Sequence, residues 1–246
     1  MLDLLRARAV LGAPGARFPD GDLTLPPRFR GRPVATGTRE LPVLDLGACL
    51  FSPEEALELE ERGGHFSGDH RLAATTREAL TRSQTGADPV RPLADAMRRL
   101  FGRSLRLRSV AAGSCGGCEA ELVALGNVVF DLARFGVEFV ASPRHADGLI
   151  VTGAVSRNMR DALLRTYDAV AEPKLVIAVG ACAASGGPFR GSPEVLDGVP
   201  SEIPVDLWIA GCPPHPFTVL DGLLRMLGRL DLRAPAGAAP KESVAR

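Results

Sequence analysis

With 246 residues, 46% of them hydrophobic and 24% charged, the chain is long enough for one sizeable core and a small second unit, and its composition is that of a globular protein. The 29 basic and 29 acidic side chains cancel, and every basic residue except Lys174 and Lys241 is arginine, a balance that argues against a nucleic-acid surface. No run approaches the roughly 18 to 20 apolar residues that cross a bilayer, and the N-terminus has no small-residue cleavage site. The expectation is a cytoplasmic chain with no transmembrane segment of its own. Five cysteines, an odd number, then point to metal or redox chemistry in place of a disulfide framework.

Residues 1–40 are rich in Pro, Gly and Arg, as in Leu25-Pro26-Pro27-Arg28-Phe29-Arg30-Gly31-Arg32-Pro33, and hold neither period for long. They read as an extended arm, with either a short amphipathic helix or a frayed terminus at 1–11. An apolar run follows at 41–46. Ser52-Pro53-Glu54-Glu55 is a helix start, with proline at the first helical position and acids in the first turn. Residues 83–92 are a linker, and 93–101 a short helix ended by Gly102.

From Leu105 the pattern changes to short apolar β-rich runs alternating with helical ones. The strands expected are Leu105–Ala111, 137–141, Gly148–Thr152, Leu175–Val179 and 205–209, with helices over 119–134, 158–171 and 216–230. This alternation predicts an α/β domain: a flavodoxin-like, doubly wound parallel sheet covered on both faces, with right-handed crossovers.

Three of these strands run into glycine and cysteine: Gly113-Ser114-Cys115, Gly180-Ala181-Cys182 and Gly211-Cys212. Parallel strands end on one edge, where open α/β sheets build their sites, so cysteines distant in sequence converge. The glycines let the backbone turn sharply off each strand and bring N–H groups near sulfur. Cys115-Gly116-Gly117-Cys118 opens a helix whose dipole favours thiolate, and Cys212-Pro213-Pro214 has the cysteine–proline step frequent beside Fe–S ligands. Four thiolates suit a cubane cluster. A structural zinc site also takes four cysteines but usually as two close pairs. A thioredoxin-type pair would leave the two further cysteines as coincidence, and each of Cys182 and Cys212 taken alone reads as a core thiol. Cys49 is left over.

Residues 105–230 resemble the small subunit of membrane-bound, formate hydrogenlyase-type (group 4) NiFe hydrogenases and its counterpart in complex I. The strings that carry the resemblance are Ser114-Cys115-Gly116-Gly117-Cys118-Glu119-Ala120-Glu121-Leu122, His145-Ala146-Asp147, Thr152-Gly153-Ala154-Val155, Gly180-Ala181-Cys182-Ala183-Ala184-Ser185-Gly186-Gly187 and Pro204-Val205-Asp206 leading to Gly211-Cys212-Pro213-Pro214. The resemblance implies one 4Fe-4S cluster on Cys115, Cys118, Cys182 and Cys212, next to the active site of a large partner subunit. The C-x-x-C form is typical of the hydrogenase branch, whereas the complex I branch has two adjacent cysteines. Glu121 falls on a family glutamate linked to proton movement; an acid in the first helical turn is the plain alternative. His215 departs from the usual arginine or threonine and is open to two roles, cluster tuning or contact with a partner.

The front of the chain resembles a second family, the polyferredoxin subunit of the same complexes, through Leu25–Pro33, Leu44-Asp45-Leu46-Gly47-Ala48-Cys49-Leu50-Phe51 and residues 66–80. Its cluster repeats are missing, and one thiolate cannot hold a cubane. The expected organisation is a degenerate ferredoxin-like docking region and extended arm at 1–92, a flavodoxin-like cluster domain at 93–232, and a disordered tail at 233–246. The expected task is one-electron relay in a membrane-associated hydrogenase, peripheral on the cytoplasmic face of the inner membrane. The expected partners are a large catalytic subunit, either a NiFe subunit or its quinone-site homologue, and other ferredoxin-like and membrane subunits. Two alternatives stand: a complex I-like subunit whose cluster reduces quinone, and a zinc-binding or metal-free scaffold. No Walker loop and no G-x-G-x-x-G opening a helix supports nucleotide binding.

Overall fold

The computed structural model describes residues 6, 15–19, 23, 25–37, 41, 43–82, 90–101 and 104–230. All but Arg6 of the helix considered at 1–11, most of the linker at 83–92 and the tail at 233–246 lie outside them.

Five parallel strands form the centre: β6 (Leu105–Ala111), β7 (Val137–Phe139), β8 (Gly148–Thr152), β9 (Leu175–Val179) and β10 (Leu207–Ile209). They lie in the order β7-β6-β8-β9-β10. Counted along the chain this is 2-1-3-4-5, the flavodoxin-like doubly wound order, whose switch point falls between β6 and β8. The period of two sends alternate side chains to opposite faces. Leu107, Ile150, Ile177 and Ile209 join one core, while Val110, Leu149, Val151 and Val176 join the other. Each such fully buried side chain contributes roughly 1.5 to 3 kcal/mol.

Helices α3 (Gly117–Ala124), α4 (Arg157–Asp168), α5 (Gly180–Ser185) and α6 (Pro216–Met226) follow β6, β8, β9 and β10. The helix expected at 119–134 starts two residues earlier and stops at Ala124. Asn127 Oδ1 accepts from the amides of Val129 (2.8 Å) and Phe130 (3.1 Å), a local turn that competes with the helix, and a short 3-10 turn over Leu132–Phe135 follows. Strand β10 begins later than expected because Asp206 Oδ2 takes the Val176 amide at 2.8 Å, ending the regular ladder. Helix α6 ends before Gly228, whose φ of +67° leaves the helical region.

The N-terminal region builds two small ladders. Strands β1 (Pro33–Ala35) and β3 (Gly64–Phe66) pair antiparallel, as do β2 (Leu44–Asp45) and β5 (Thr81–Arg82). Helix α1 (Pro53–Glu61) carries the full capping box, in which the Ser52 side chain takes the Glu55 amide and Glu55 returns to the Ser52 amide. Helix α2 (Asp95–Phe101) precedes the sheet. Strand β4 (Ala73–Ala74) pairs antiparallel with β10 and becomes the sixth strand of the main sheet. Leu46, Leu72, Ala74 and Leu80 form a third core with Ala184 and Ala210.

Helix α6 is buried along its whole length and carries an ion pair inside, Arg225 Nε to the Asp221 carboxylate at 2.9 Å. His70 approaches Asp221 at 4.0 Å, yet burial pushes its ring down to about 4, with Asp69 opposing and Arg71 and Arg225 reinforcing. Asp221 is engaged by Arg225, so burial wins. Among the described residues no helix is long and apolar enough to cross a membrane.

The ring of His70 is neutral in the fold and takes a proton below about 6.5 when unfolded. Its contribution to stability is present above pH 6.5 and is lost as pH falls towards 4. In urea titrations the wild type should lose up to about 3 kcal/mol more than His70→Phe between those limits, and equal losses would contradict the assignment.

Candidate metal centre

Each of the three strand ends turns through left-handed glycine. After β6 the chain passes Gly113 (φ +91°) and Gly116 (φ +88°) into α3, with Cys115 exposed and Cys118 buried in the first turn. After β9, Gly180 (φ +90°) opens α5 and Cys182 is buried two residues later. After β10, Gly211 (φ +141°) precedes the half-buried Cys212.

The three turns touch. A Cβ on Gly180 would lie 2.5 Å from Cys118 Sγ and 3.5 Å from the Gly211 carbonyl oxygen. One on Gly117 would lie 3.6 Å from Cys115 Sγ and 3.7 Å from Pro213 Cγ, and one on Gly187 would lie 2.9 Å from Cys182 Sγ. The Ala181 amide donates to the Gly211 carbonyl at 2.9 Å, tying the second turn to the third. At Gly180 and Gly187 a side chain would strike sulfur, so these glycines cradle Cys118 and Cys182.

Electrostatics joins the same four residues. Burial pushes the Cys118 thiol up to about 12, and Cys182, Glu119, Cys212 and Cys115 push in the same direction. Cys182 rises to about 11 through burial, Cys212, Cys115 and Glu119; Cys212 rises through burial, Cys115 and Glu55. Cys118, Cys182 and Cys212 each feel at least one other sulfur of the group, with Cys115 acting on all three, a burden that a bound cation would relieve. Among the described residues no three His, Cys, Asp or Glu side chains are grouped as ligands of one ion. A cubane does not require such a grouping, because each thiolate meets its own iron corner. The donor set and the glycine cradle therefore fit an iron–sulfur cluster.

Cys49 belongs to another environment. Its thiol donates to Glu55 Oε2 at 3.5 Å and accepts from the Phe51 amide at 3.4 Å, and burial pushes it up to about 12.

Glu121 lies on α3, half-buried, and burial raises its carboxyl. The more engaged acid is Glu119, which sequence reasoning passed over. Glu119 Oε1 accepts from the Ser114 and Thr152 hydroxyls, bridging the first turn to the end of β8. Burial would raise its carboxyl, but those two bonds hold it below the usual range, while Oε2 is buried with no hydrogen-bond partner among the described residues. The available signal was Thr152, a hydroxyl closing an otherwise apolar strand. His215 packs its ring among Phe29, Phe130 and Phe217 at 5.2 to 5.8 Å, and its Nδ1 accepts the Phe217 amide at 3.2 Å to cap α6. Its visible work is helix capping.

A doubly wound, mostly parallel sheet with four cysteines along one edge defines the chain as an α/β protein of the flavodoxin-like class. Residues 115–226 match the family described as NADH ubiquinone oxidoreductase, 20 Kd subunit. The chain is 46% identical to an NADH-quinone oxidoreductase subunit of Phocaeicola vulgatus over 54% of its own length and 67% of that protein. It is 44% identical to formate hydrogenlyase subunit 7 of Escherichia coli K12 over 54% of its length and 52% of the relative, about half of that protein. It is 39% identical to the probable membrane-bound hydrogenase subunit mbhJ of Pyrococcus furiosus over 58% of its length and 86% of the relative. Among solved structures, a chain of an archaeal membrane-bound sulfane sulfur reductase is 31% identical, with a TM-score of 0.48, over 55% of this chain and 75% of that one. The chain belongs to the 20 Kd subunit family of NADH ubiquinone oxidoreductase, a family of oxidoreductase subunits.

Gly180→Ala should cost about 1 to 3 kcal/mol from backbone strain and, beyond that, displace Cys118. Gly191 has a similar φ of +78° with open space around it, so Gly191→Ala carries the strain alone. Urea midpoints of the two variants measure the difference, and equal midpoints would remove Gly180 from the cradle.

Proposed function

We propose that the chain is an electron-relay subunit that holds one 4Fe-4S cluster on Cys115, Cys118, Cys182 and Cys212. The observation that carries the reading is the meeting of three cysteine-bearing turns at Gly180, where an added Cβ would lie 2.5 Å from Cys118 Sγ and 3.5 Å from the Gly211 carbonyl oxygen. When bound, such a cluster supplies one-electron transfer, at a potential set by burial, charge and N–H···S bonds. The chain's own part is positional. Glycine turns bring the backbone close to sulfur, the apolar core behind α3 and α5 excludes water, and Glu119 pins the first turn to β8.

The complex proposed is a membrane-associated hydrogenase of the formate hydrogenlyase type, in which the cluster lies beside the active site of a large catalytic subunit. The C-x-x-C spacing supports this branch, and the likeness to formate hydrogenlyase subunit 7 agrees with it. The chain would sit peripherally on the cytoplasmic face of the inner membrane, held by ferredoxin-like and membrane partners. Residues 93–232 would be the cluster domain, and 1–92 a degenerate ferredoxin-like docking region that carries no electrons. Glu121, raised by burial, is the proposed proton-handling group. A second reading, a complex I-like subunit whose cluster reduces quinone, draws support from the 46% identity to the NADH-quinone oxidoreductase relative.

Purified without oxygen, the full chain should be brown, hold about four irons and give a reduced-state EPR signal. Alanine at any of the four cysteines should abolish the signal, while Cys49→Ala should leave iron content unchanged. A colourless, zinc-loaded chain would overturn the relay reading, and iron loss from Cys49→Ala would overturn the ligand set. Nickel in the co-purified large subunit would select the hydrogenase; a nickel-free complex that reduces quinone would select the second reading.

A further inference from the structure

The short helix α5 that carries Cys182 has six residues, too few to hold itself by propensity, so its fate depends on what its ends contact. Its carbonyls are taken up one by one. The Ala181 oxygen accepts from Ser185 Oγ at 3.1 Å, the Cys182 oxygen from the Gly186 amide at 2.8 Å, and the Ala183 oxygen from the Val199 amide at 2.9 Å. The Ala184 oxygen is met from far away in sequence, by Arg77 Nε at 2.8 Å.

We propose that Arg77 is a positioning residue for Cys182, clamping the N-terminal segment onto the helix that presents this cysteine. One guanidinium makes three bonds in fixed directions: Nε to Ala184, Nη1 to Asp45 Oδ1 at 2.7 Å and Nη2 to Asp45 Oδ2 at 2.8 Å. Only the planar fork of arginine serves a carboxylate bidentately while a third donor reaches elsewhere; lysine is a point charge. The Ser185 hydroxyl closes the same seam, its single proton shared between the Ala181 carbonyl and the Gly47 carbonyl, the latter at 2.9 Å. Gly47 leaves room for the clamp, since a Cβ there would lie 2.7 Å from Arg77 Cζ. Behind the polar seam, Leu46, Leu72, Ala74 and Leu80 pack with Ala184 and Ala210, the residues that end α5 and follow β10. Asp45 agrees with this account: burial would raise its carboxyl, and Arg77 together with the Gly47 and Ala48 amides holds it low.

The clamp comes from residues 45–80, outside the stretch 115–226 that matches the family. The N-terminal segment thus acts as a collar in cis, fixing the helix on which one sulfur of the site rides. For its effect on a cluster this inference rests on the ligand reading above, whereas the clamp itself does not.

The test uses the full chain, iron-free and iron-loaded, as wild type, Arg77→Met, Arg77→Lys and, as a control in the same segment, Arg71→Met, which breaks the 2.7 Å Arg71–Asp69 pair. In the iron-free chain, alkylation is followed cysteine by cysteine by mass spectrometry. Arg77→Met should label Cys182 about tenfold faster, the response to about 1.4 kcal/mol of lost local stability. Cys118 should be unaffected, and Arg77→Lys should fall between. In the iron-loaded chain, Arg77→Met should release iron to a chelator faster and alter the reduced EPR signal. Wild-type labelling of Cys182 in Arg77→Met, or equal acceleration by Arg71→Met, would overturn the clamp. Faster labelling in a chain whose wild type binds no iron would uphold the clamp and sink the cluster reading, so the two failures are distinguishable.

Discussion

Everything at this site depends on one constraint of parallel sheets: strands that run the same way finish at the same edge. β6, β9 and β10 each end in a left-handed glycine and then present a cysteine, so three short turns separated by some thirty to sixty-five residues become neighbours. The closeness is extreme at Gly180, where any side chain would enter the space of Cys118 Sγ. The doubly wound order places β9 and β10 side by side and β6 across β8 from β9, which is what lets cysteines so far apart in the chain gather.

Three of the gathered sulfurs resist ionisation. Two are buried, one is half-buried, and their ionised forms repel one another in a medium where charge is poorly screened. Among the described residues no basic side chain acts on Cys118, Cys182 or Cys212. Acids are present instead, in Glu119 and Glu55. A site so arranged gains most from an intensely positive guest, and iron of a cluster is one that four thiolates can share.

The N-terminal region changes how the domain is completed. Strand β4 closes the sheet edge at β10, so an exposed ladder is covered by the chain's own segment. The same segment supplies the Arg77–Asp45 seam against α5 and the third apolar core. Edge covering and helix capping are thereby combined in about forty residues that carry one cysteine, and that cysteine is occupied with Glu55.

Local order in the chain was enough to reveal Leu105–Ala111, Gly148–Thr152 and Leu175–Val179 to the residue, because apolar side chains, alternating with arginine in the first and continuous in the other two, run on to within two residues of a glycine that ends each strand. The capping box at Ser52 and the four strand-end cysteines were equally legible, since each is a local pattern with a local cause. What only the tertiary structure decided are features whose energy comes from distant partners. Ala73–Ala74 has no strand signal and pairs because β10 offers it a free edge. Arg77 is one of many arginines until Asp45 and Ala184 converge on it, and Glu119 rather than Glu121 takes the hydrogen bonds because Thr152 arrives from the neighbouring strand. Periodicity and turn chemistry act over a few residues, whereas bidentate pairs and shared sheet edges are made between segments that only folding brings together.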